Sequence, residues 1–425
     1  MSLRTKFALI ALSTVITIYA VAGGLLTKQT NVIAKGDPYV QVKIFNEVLR
    51  HIVNDYVDEP NLEKVRVGAL KGLTDGLDPY SAYLTPDQVK RFKADTMRKT
   101  PFGLTLSKYA GFAYVVSVVK GSPADTAGIK TGDILEYVNG TATRDVSLYD
   151  LQETLVNVPA NGDVEITILK RDKSDKVKVR NTPFTSPLES RMEDGDVGYI
   201  KVGLLTAGKS AEVRTAVQQL TQKGAKKIAL DLRGSSFGDF QEGVAVANLF
   251  VSNGLLARTI GHNNQIKTFE AEPAKTIFTG TLTVLTDRST SGPAEIVAAA
   301  VVNGKRGEVV GERTFGAGSD QELFSLKDGS GLLLTVSRHA PGVGKPFMED
   351  NIKPTVEVKV AEAEPSIPEV DSETPPTPET PKEEKKVVPP SEDIILKKAL
   401  EVLKTGAKQT ARVKAAQASR RAVNG

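Results

Sequence analysis

Leu282-Thr283-Val284-Leu285-Thr286, then Asp287-Arg288-Ser289-Thr290-Ser291-Gly292, then Pro293-Ala294-Glu295 and on to Val302, passes from a short apolar run through a polar turn into a helix. Five β-rich residues bounded by turn formers predict a strand. Pro293 suits a first helical turn, where its missing N–H costs nothing. The same alternation occurs upstream. Val197–Val202 reads as a strand, Lys209–Gln222 as a helix, Ile228–Leu232 as a strand and Asp239–Val251 as a helix. Short apolar runs separated by amphipathic helices imply a largely parallel sheet covered on both faces, an α/β core over 190–360.

Upstream, residues 39–97 read as a helical segment. Val42, Phe45, Leu49, Ile52 and Tyr56 recur at alternating spacings of three and four, which puts them on one helix face. In Leu77-Asp78-Pro79-Tyr80-Ser81-Ala82-Tyr83-Leu84-Thr85-Pro86 one helix ends and another is capped by Thr85. Downstream, 362–390 is rich in Pro, Glu, Thr, Ser and Lys with almost no large apolar residues, so it is expected to be a disordered linker. In 391–425, Glu392–Leu403 reads as a short amphipathic helix. The basic tail after it, with Lys404, Lys408, Arg412, Lys414, Arg420 and Arg421, reads as solvated, with contact to anionic lipid or cell wall as the alternative.

Segment 1–34 concerns export. Arg4 and Lys6 precede an uncharged run from Phe7 to Leu26, about 20 residues and long enough to span a bilayer as a helix. Positive charge before the run orients the N-terminus inward. Ala20-Val21-Ala22 ahead of Gly23 gives the alternative, a cleaved signal peptide. Either reading exports the body of the protein.

Composition removes several classes of function. The chain has 425 residues and 40% hydrophobic content, enough for two globular domains with appendages. A net charge of +4 and the absence of Trp argue against nucleic acid as a partner. With no cysteine there is no disulfide, thiol chemistry or Cys-ligated zinc. His51, His262 and His339 are the only imidazoles, and their spacing suggests neither a metal set nor a Ser-His-Asp triad. No cofactor and no metal are expected.

Residues 100–183 resemble a PDZ domain. Phe102-Gly103-Leu104 fits the apolar-Gly-apolar loop whose amides receive a peptide's terminal carboxylate. Val115–Ala124, Ala127-Gly128-Ile129 and Gly132–Gly140 follow in the order that this fold repeats, with glycines at its tight corners. A helix over Leu148–Val156 and a strand over Val164–Leu169 would complete it. The preceding L-D-P-Y-S-x-Y-L string, the α/β core and the terminal helix are similar to the C-terminal processing peptidases, the tail-specific serine proteases of family S41. That resemblance implies a multidomain α/β fold: N-terminal helical segment, PDZ β-domain, and a peptidase core of the crotonase or ClpP-like type.

In that family a Ser–Lys pair cuts proteins near their C-termini. Its S-A-S-A-S-E pattern places the nucleophile three residues before the Glu, and its G-K-G supplies the base. Aligned on Glu295 and on Gly316 and Gly318, these places hold Gly292 and Ala317, which have no group for attack or proton transfer. A Gln that orients the Lys in some members matches Gln321. The family's D-L-R-x-N-P-G-G, which implies an oxyanion hole, corresponds to Asp231–Gly238, with Phe237 in place of the first of two glycines and Gly238 as the second. Phe237 is expected to resist the positive φ open to glycine there. Ser291 and Ser289 are the fallback nucleophiles, and Lys305, Lys327 or Lys345 could serve as base only if the fold brings one back.

The resemblance therefore implies an exported, membrane-anchored, peptidase-like protein that binds C-termini of envelope proteins through its PDZ domain, with a degenerate active site. One alternative is an active endopeptidase with a relocated nucleophile such as Ser291. Another is a non-catalytic partner, possible in an oligomer, that assembles with active relatives.

Overall fold

The computed structural model describes residues 38–94, 101–170, 174–193, 195–360 and 393–405. The Phe7–Leu26 run, the linker expected at 362–390 and the tail beyond residue 405 lie outside them. Among the described residues no helix is long and apolar enough to cross a membrane. The chain divides into one unit ending at Ala69 and a second beginning at Leu70.

In the first unit, α1 (Pro38–Asp55) is helical as the spacing predicts. From residue 41 to 55 every side chain is exposed except the half-buried Ile52. A second helix, α2 (Leu62–Asp75), begins in this unit, and its residues from Leu70 onward belong to the second.

In the second unit, the carboxylate of Asp78 accepts the amides of Tyr80 (2.8 Å) and Ser81 (2.9 Å), an Asx turn that stops the helical path. Within the largely helical 39–97 segment, Ala82–Leu84 is a strand, β1, paired antiparallel with Gly331–Leu333. Tyr83 and Leu84 are buried, so packing on a neighbouring sheet outweighs local propensity. Thr85 then caps α3 (Pro86–Lys93) in a reciprocal box with Gln88.

The PDZ-like domain is a sheet of β2 (Leu104–Tyr109), β3 (Phe112–Val118), β4 (Ile134–Val138), β5 (Asp163–Leu169) and β6 (Ser174–Arg180), in that spatial order. Its helix, α4 (Leu148–Val156), has the predicted bounds, and Leu148, Leu151 and Leu155 pack on Leu106, Val115 and Ile166. Among the described residues β2 pairs only with β3, so its other edge is unpaired by any strand. The outer side of α4 is clamped. Gln88 Nε2 donates to Asp150 and Glu153 at 2.8 Å each, Arg91 Nε to Glu153 at 2.6 Å, and Lys71 Nζ to Asp150 at 2.7 Å.

The core contains β7 (Glu189–Met192), β8 (Val197–Lys201), α5 (Lys209–Gln222), β9 (Lys227–Asp231), α6 (Phe240–Phe250), β10 (Leu255–Gly261), β11 (Ile266–Glu270), β12 (Thr281–Thr286), α7 (Pro293–Asn303), β13 (Glu308–Gly311), β14 (Ser319–Ser325), β15 (Gly331–Pro341) and β16 (Val356–Glu357). Its main sheet runs β16-β13-β12-β9-β8-β7 and is parallel except for β7. Alternation along the strands serves two faces. Ile228, Leu230, Leu282 and Val284 pack with residues of α5, α6 and α7, such as Val217, Phe250 and Val297. Ala229, Leu285 and Val310 point the other way, where Ile395, Ala399 and Leu403 of α8 (394–405) cover them. Full burial of one Ile or Leu there contributes roughly 2 kcal/mol. A second sheet, β1-β15-β10-β11 with β14 on β15, is antiparallel. The sequence reading did not anticipate it: apart from short runs such as Leu332-Leu333-Leu334, most residues of these strands are half-buried or exposed.

Candidate active site and peptide groove

The turn from β12 into α7 organises the site. Asp287 Oδ1 accepts the amide and the hydroxyl of Ser289 (3.1 and 2.8 Å), the hydroxyl of Thr290 (3.0 Å) and the amide of Gly234 (3.3 Å). Ser289 is thus a turn residue, its hydroxyl held by the Asp287 carboxylate. Ser291 is buried, and its amide donates to Ser235 O at 2.9 Å, tying this turn to the 234–238 loop.

Gly292 precedes the first turn of α7 with φ 57° and ψ −118°, a conformation that strains any other residue. A Cβ at this position would meet only Ser236 O, at 3.9 Å. There is room for a side chain, and none is present.

The residue that joins the two loops is Glu295. It is fully buried, and its carboxylate accepts the amides of Gly292 and Ala317 on one oxygen and that of Gly316 on the other, all at 2.9 Å. The Thr314 hydroxyl donates a further short hydrogen bond. Burial pushes this carboxyl up to about 7, against the four donors that pull it down. Sequence reasoning used Glu295 only as a landmark. A Glu three residues after a helix cap was the available signal for a side chain that reaches back to the cap amide.

Ala317 is thereby brought to the same carboxylate as Gly292. Lys305, Lys327 and Lys345 are exposed. Gln321 Nε2 donates to Ser319 Oγ (2.7 Å) and Thr335 Oγ1 (3.3 Å). In the 234–238 loop the positive φ values fall on Gly234 (77°) and Gly238 (147°), while Phe237 is outside the left-handed region and half-buried. Phe237 O accepts the amide of Leu205 at 2.9 Å.

The PDZ-like domain lies against these loops, a contact that no sequence pattern indicated. The Ser117 and Ser236 hydroxyls form a short hydrogen bond, and Ser236 Oγ donates to Thr105 Oγ1 at 2.8 Å. Tyr114 stacks on Phe315, the rings 6.0 Å apart and 13° from parallel. In the Phe102-Gly103-Leu104 loop, Phe102 is buried and Gly103 has φ 75°. A Cβ on Gly103 would lie 2.2 Å from Ser122 Cβ, and Gly103 O accepts the amide of Val119 at 2.8 Å. Leu104 opens β2, whose open edge runs beside α4.

Beneath the 234–238 loop, Arg233 donates to Asp231 at 2.9 and 2.6 Å and to Asp393 at 2.7 and 2.8 Å. Burial works to lower the guanidinium pKa, but these carboxylates more than offset it and raise it. His339, packed on Phe240, pairs with Asp320 at 3.0 Å, a proximity invisible in their spacing. Among the described residues no group of His, Asp and Glu could hold a metal ion.

The model of peptidase family S41 matches residues 196–358, and a PDZ domain model matches residues 114–170. The chain is 30% identical over 334 residues to the carboxy-terminal processing protease CtpA of Bacillus subtilis (strain 168), covering 74% of this chain and 68% of that protein. It is also 30% identical over 280 residues to the chloroplastic carboxyl-terminal-processing peptidase 2 of Arabidopsis thaliana, covering 62% of this chain and 54% of that one. A solved photosystem II D1 C-terminal processing protease superposes with a TM-score of 0.62 at 26% identity, over 74% of this chain and 92% of its own.

Proposed function

The chain belongs to the C-terminal processing peptidases of family S41, and from that membership we propose that it captures the free C-termini of exported proteins through its PDZ domain without cutting them. The observation that carries this reading is Gly292, which has space for a nucleophile and supplies none. Ala317 on the same Glu295 carboxylate supports it, since nucleophile and base act as a unit. The unpaired edge of β2, beside α4 and behind the Phe102-Gly103-Leu104 loop, supports capture by strand addition, with loop amides receiving the carboxylate. Anchoring through Phe7–Leu26 would hold this activity at a membrane surface, and N-terminal sequencing of the envelope-bound protein tests it: a mature terminus at Gly23 means a cleaved signal.

The protein is incubated with an unstructured polypeptide ending in apolar residues. It binds the free-acid form, binds the C-terminally amidated form much more weakly, and leaves the chain uncut. The relatives are named proteases, so the competing reading is cleavage by a displaced nucleophile. Cleavage abolished by Ser291→Ala would establish that reading and overturn this one.

A further inference from the structure

The open edge of β2 and the helix α4 form the two walls between which an added strand would lie, and each wall is fixed to a different part of the core. β2 is tied through Thr105 to Ser236. α4 is held from its outer side by α2 and α3, and α3 follows β1, which pairs with β15. Tyr149 of α4 packs with Ala82, Leu84, Val89 and Leu333 in one buried cluster.

The hub of the outer contact is Gln88, 6% exposed, against Glu153, 8% exposed. Its amide is fully used. The nitrogen donates to Asp150 and Glu153 at 2.8 Å each, and the oxygen accepts the amide and the hydroxyl of Thr85 at 3.0 and 3.2 Å. A capping box needs just an acceptor at this position, which Glu supplies as well as Gln. Two carboxylates accept and cannot donate, so the contact to α4 requires the amide. Lys71 and Arg91 bring one cation to each carboxylate, 2.7 Å from Asp150 and 2.6 Å from Glu153. These groups hold α4 beyond anything the cap of α3 needs, and a carboxylate this buried is costly to leave without partners.

We propose, resting on the capture reading above, that Gln88 with Lys71 and Arg91 positions α4 and so sets the width of the peptide groove, which makes the domain select C-termini ending in a small side chain. The facing leucines carry the choice of size. Leu104 and Leu106 on β2 and Leu151 and Leu155 on α4 are each at most 5% exposed and pack in one cluster. A strand added at β2 turns alternate side chains toward α4. Its terminal side chain enters between leucines already packed together, and α4 yields to a large one only by breaking the contacts of Gln88, Lys71 and Arg91.

The full-length protein is titrated with two labelled free-acid peptides that are identical except for ending in Ala or in Phe. The wild type binds the Ala-ended peptide more tightly. Gln88→Glu, which sets a third carboxylate against two, shifts the Ala-to-Phe affinity ratio toward Phe by roughly tenfold. Adding Glu153→Gln exchanges amide and carboxylate and recovers most of that shift. Arg91→Gln, at a side chain 44% exposed and therefore tolerant of substitution, shifts the ratio the same way by a smaller factor. A merely structural role would weaken both peptides alike, so an unchanged ratio in Gln88→Glu and Arg91→Gln overturns the proposal and leaves capture standing. A wild type that prefers the Phe-ended peptide overturns it too. Binding of neither peptide by the wild type removes the capture reading, and this inference with it.

Discussion

The amide nitrogen of Ala317 lies 2.9 Å from Oε2 of Glu295, the same oxygen that receives the amide of Gly292. Two loops 25 residues apart in sequence are therefore registered through main-chain donors on one buried carboxylate.

That carboxylate makes stability depend on pH. Its folded pKa, about 7, lies above the ordinary 4.5, so between these values the folded state keeps a proton that the unfolded state has lost. The stabilising contribution is complete below 4.5 and is lost as pH rises through about 7, a change of about 3 kcal/mol. Glu295→Gln cannot titrate. Denaturant unfolding of both proteins from pH 4.5 to 8 should show the wild type losing about that much relative to the variant. A constant difference would show that the four donors outweigh burial.

If the chain captures C-termini without cutting them, as proposed, gaining catalysis should require more than a nucleophile. Gly292→Ser has room but adds strain at φ 57°, costing about 1–3 kcal/mol, read as a lower unfolding midpoint. Neither it nor Ala317→Lys alone should give turnover. The double variant with Phe237→Gly is the test of rescue, because a missing oxyanion donor costs roughly 100- to 1000-fold in rate. Turnover by Gly292→Ser alone would show that another base is within reach.

Gly103→Ala should damage the PDZ-like domain more than most single methyl additions. The new Cβ would sit 2.2 Å from Ser122 Cβ at a φ of 75°, so backbone must move and the carboxylate loop with it. The expected result is loss of most peptide affinity together with at least about 2 kcal/mol of stability, read by titration calorimetry and thermal unfolding. Unchanged affinity for free-acid peptides would remove this loop from recognition.

Arg233→Met should cost about 3 kcal/mol, because it takes the close guanidinium from the fully buried Asp231 and leaves it the Lys201 ammonium 3.9 Å away. Asp393→Asn should cost less, since it keeps the Arg233–Asp231 pair and weakens only the contact to α8. Amide hydrogen exchange distinguishes them: in Asp393→Asn faster exchange should be confined to α8 and the 234–238 loop.

The core was legible because its chemistry is periodic. The ends of α4 and α5 match the sequence reading, since Ser147 and the turn at Gly208 interrupt otherwise regular apolar spacing. The strand-turn-helix at Gly292 was legible from Pro293 and the five-residue run before it. β1 was hidden because three residues carry too little pattern, and their fate depends on β15, some 250 residues away. The contacts that unite the site were hidden for the same reason. Nothing at Ser117, Ser236 or Tyr114 differs from an ordinary strand or loop residue until the fold places Ser117 on Ser236 and Tyr114 on Phe315.

The docking of α8 has a consequence of its own. Ile395, Ala399 and Leu403 belong to the same chain as the sheet they cover, so their association is intramolecular. It does not weaken on dilution. A single peptide-bond break between residues 360 and 393 would make the same contact bimolecular, and a small, partly polar surface of that kind would then dissociate at ordinary protein concentrations. The apolar face of Tyr199, Leu285 and Val310 would be uncovered with every native contact elsewhere intact, which makes the integrity of that one stretch of chain a determinant of solubility.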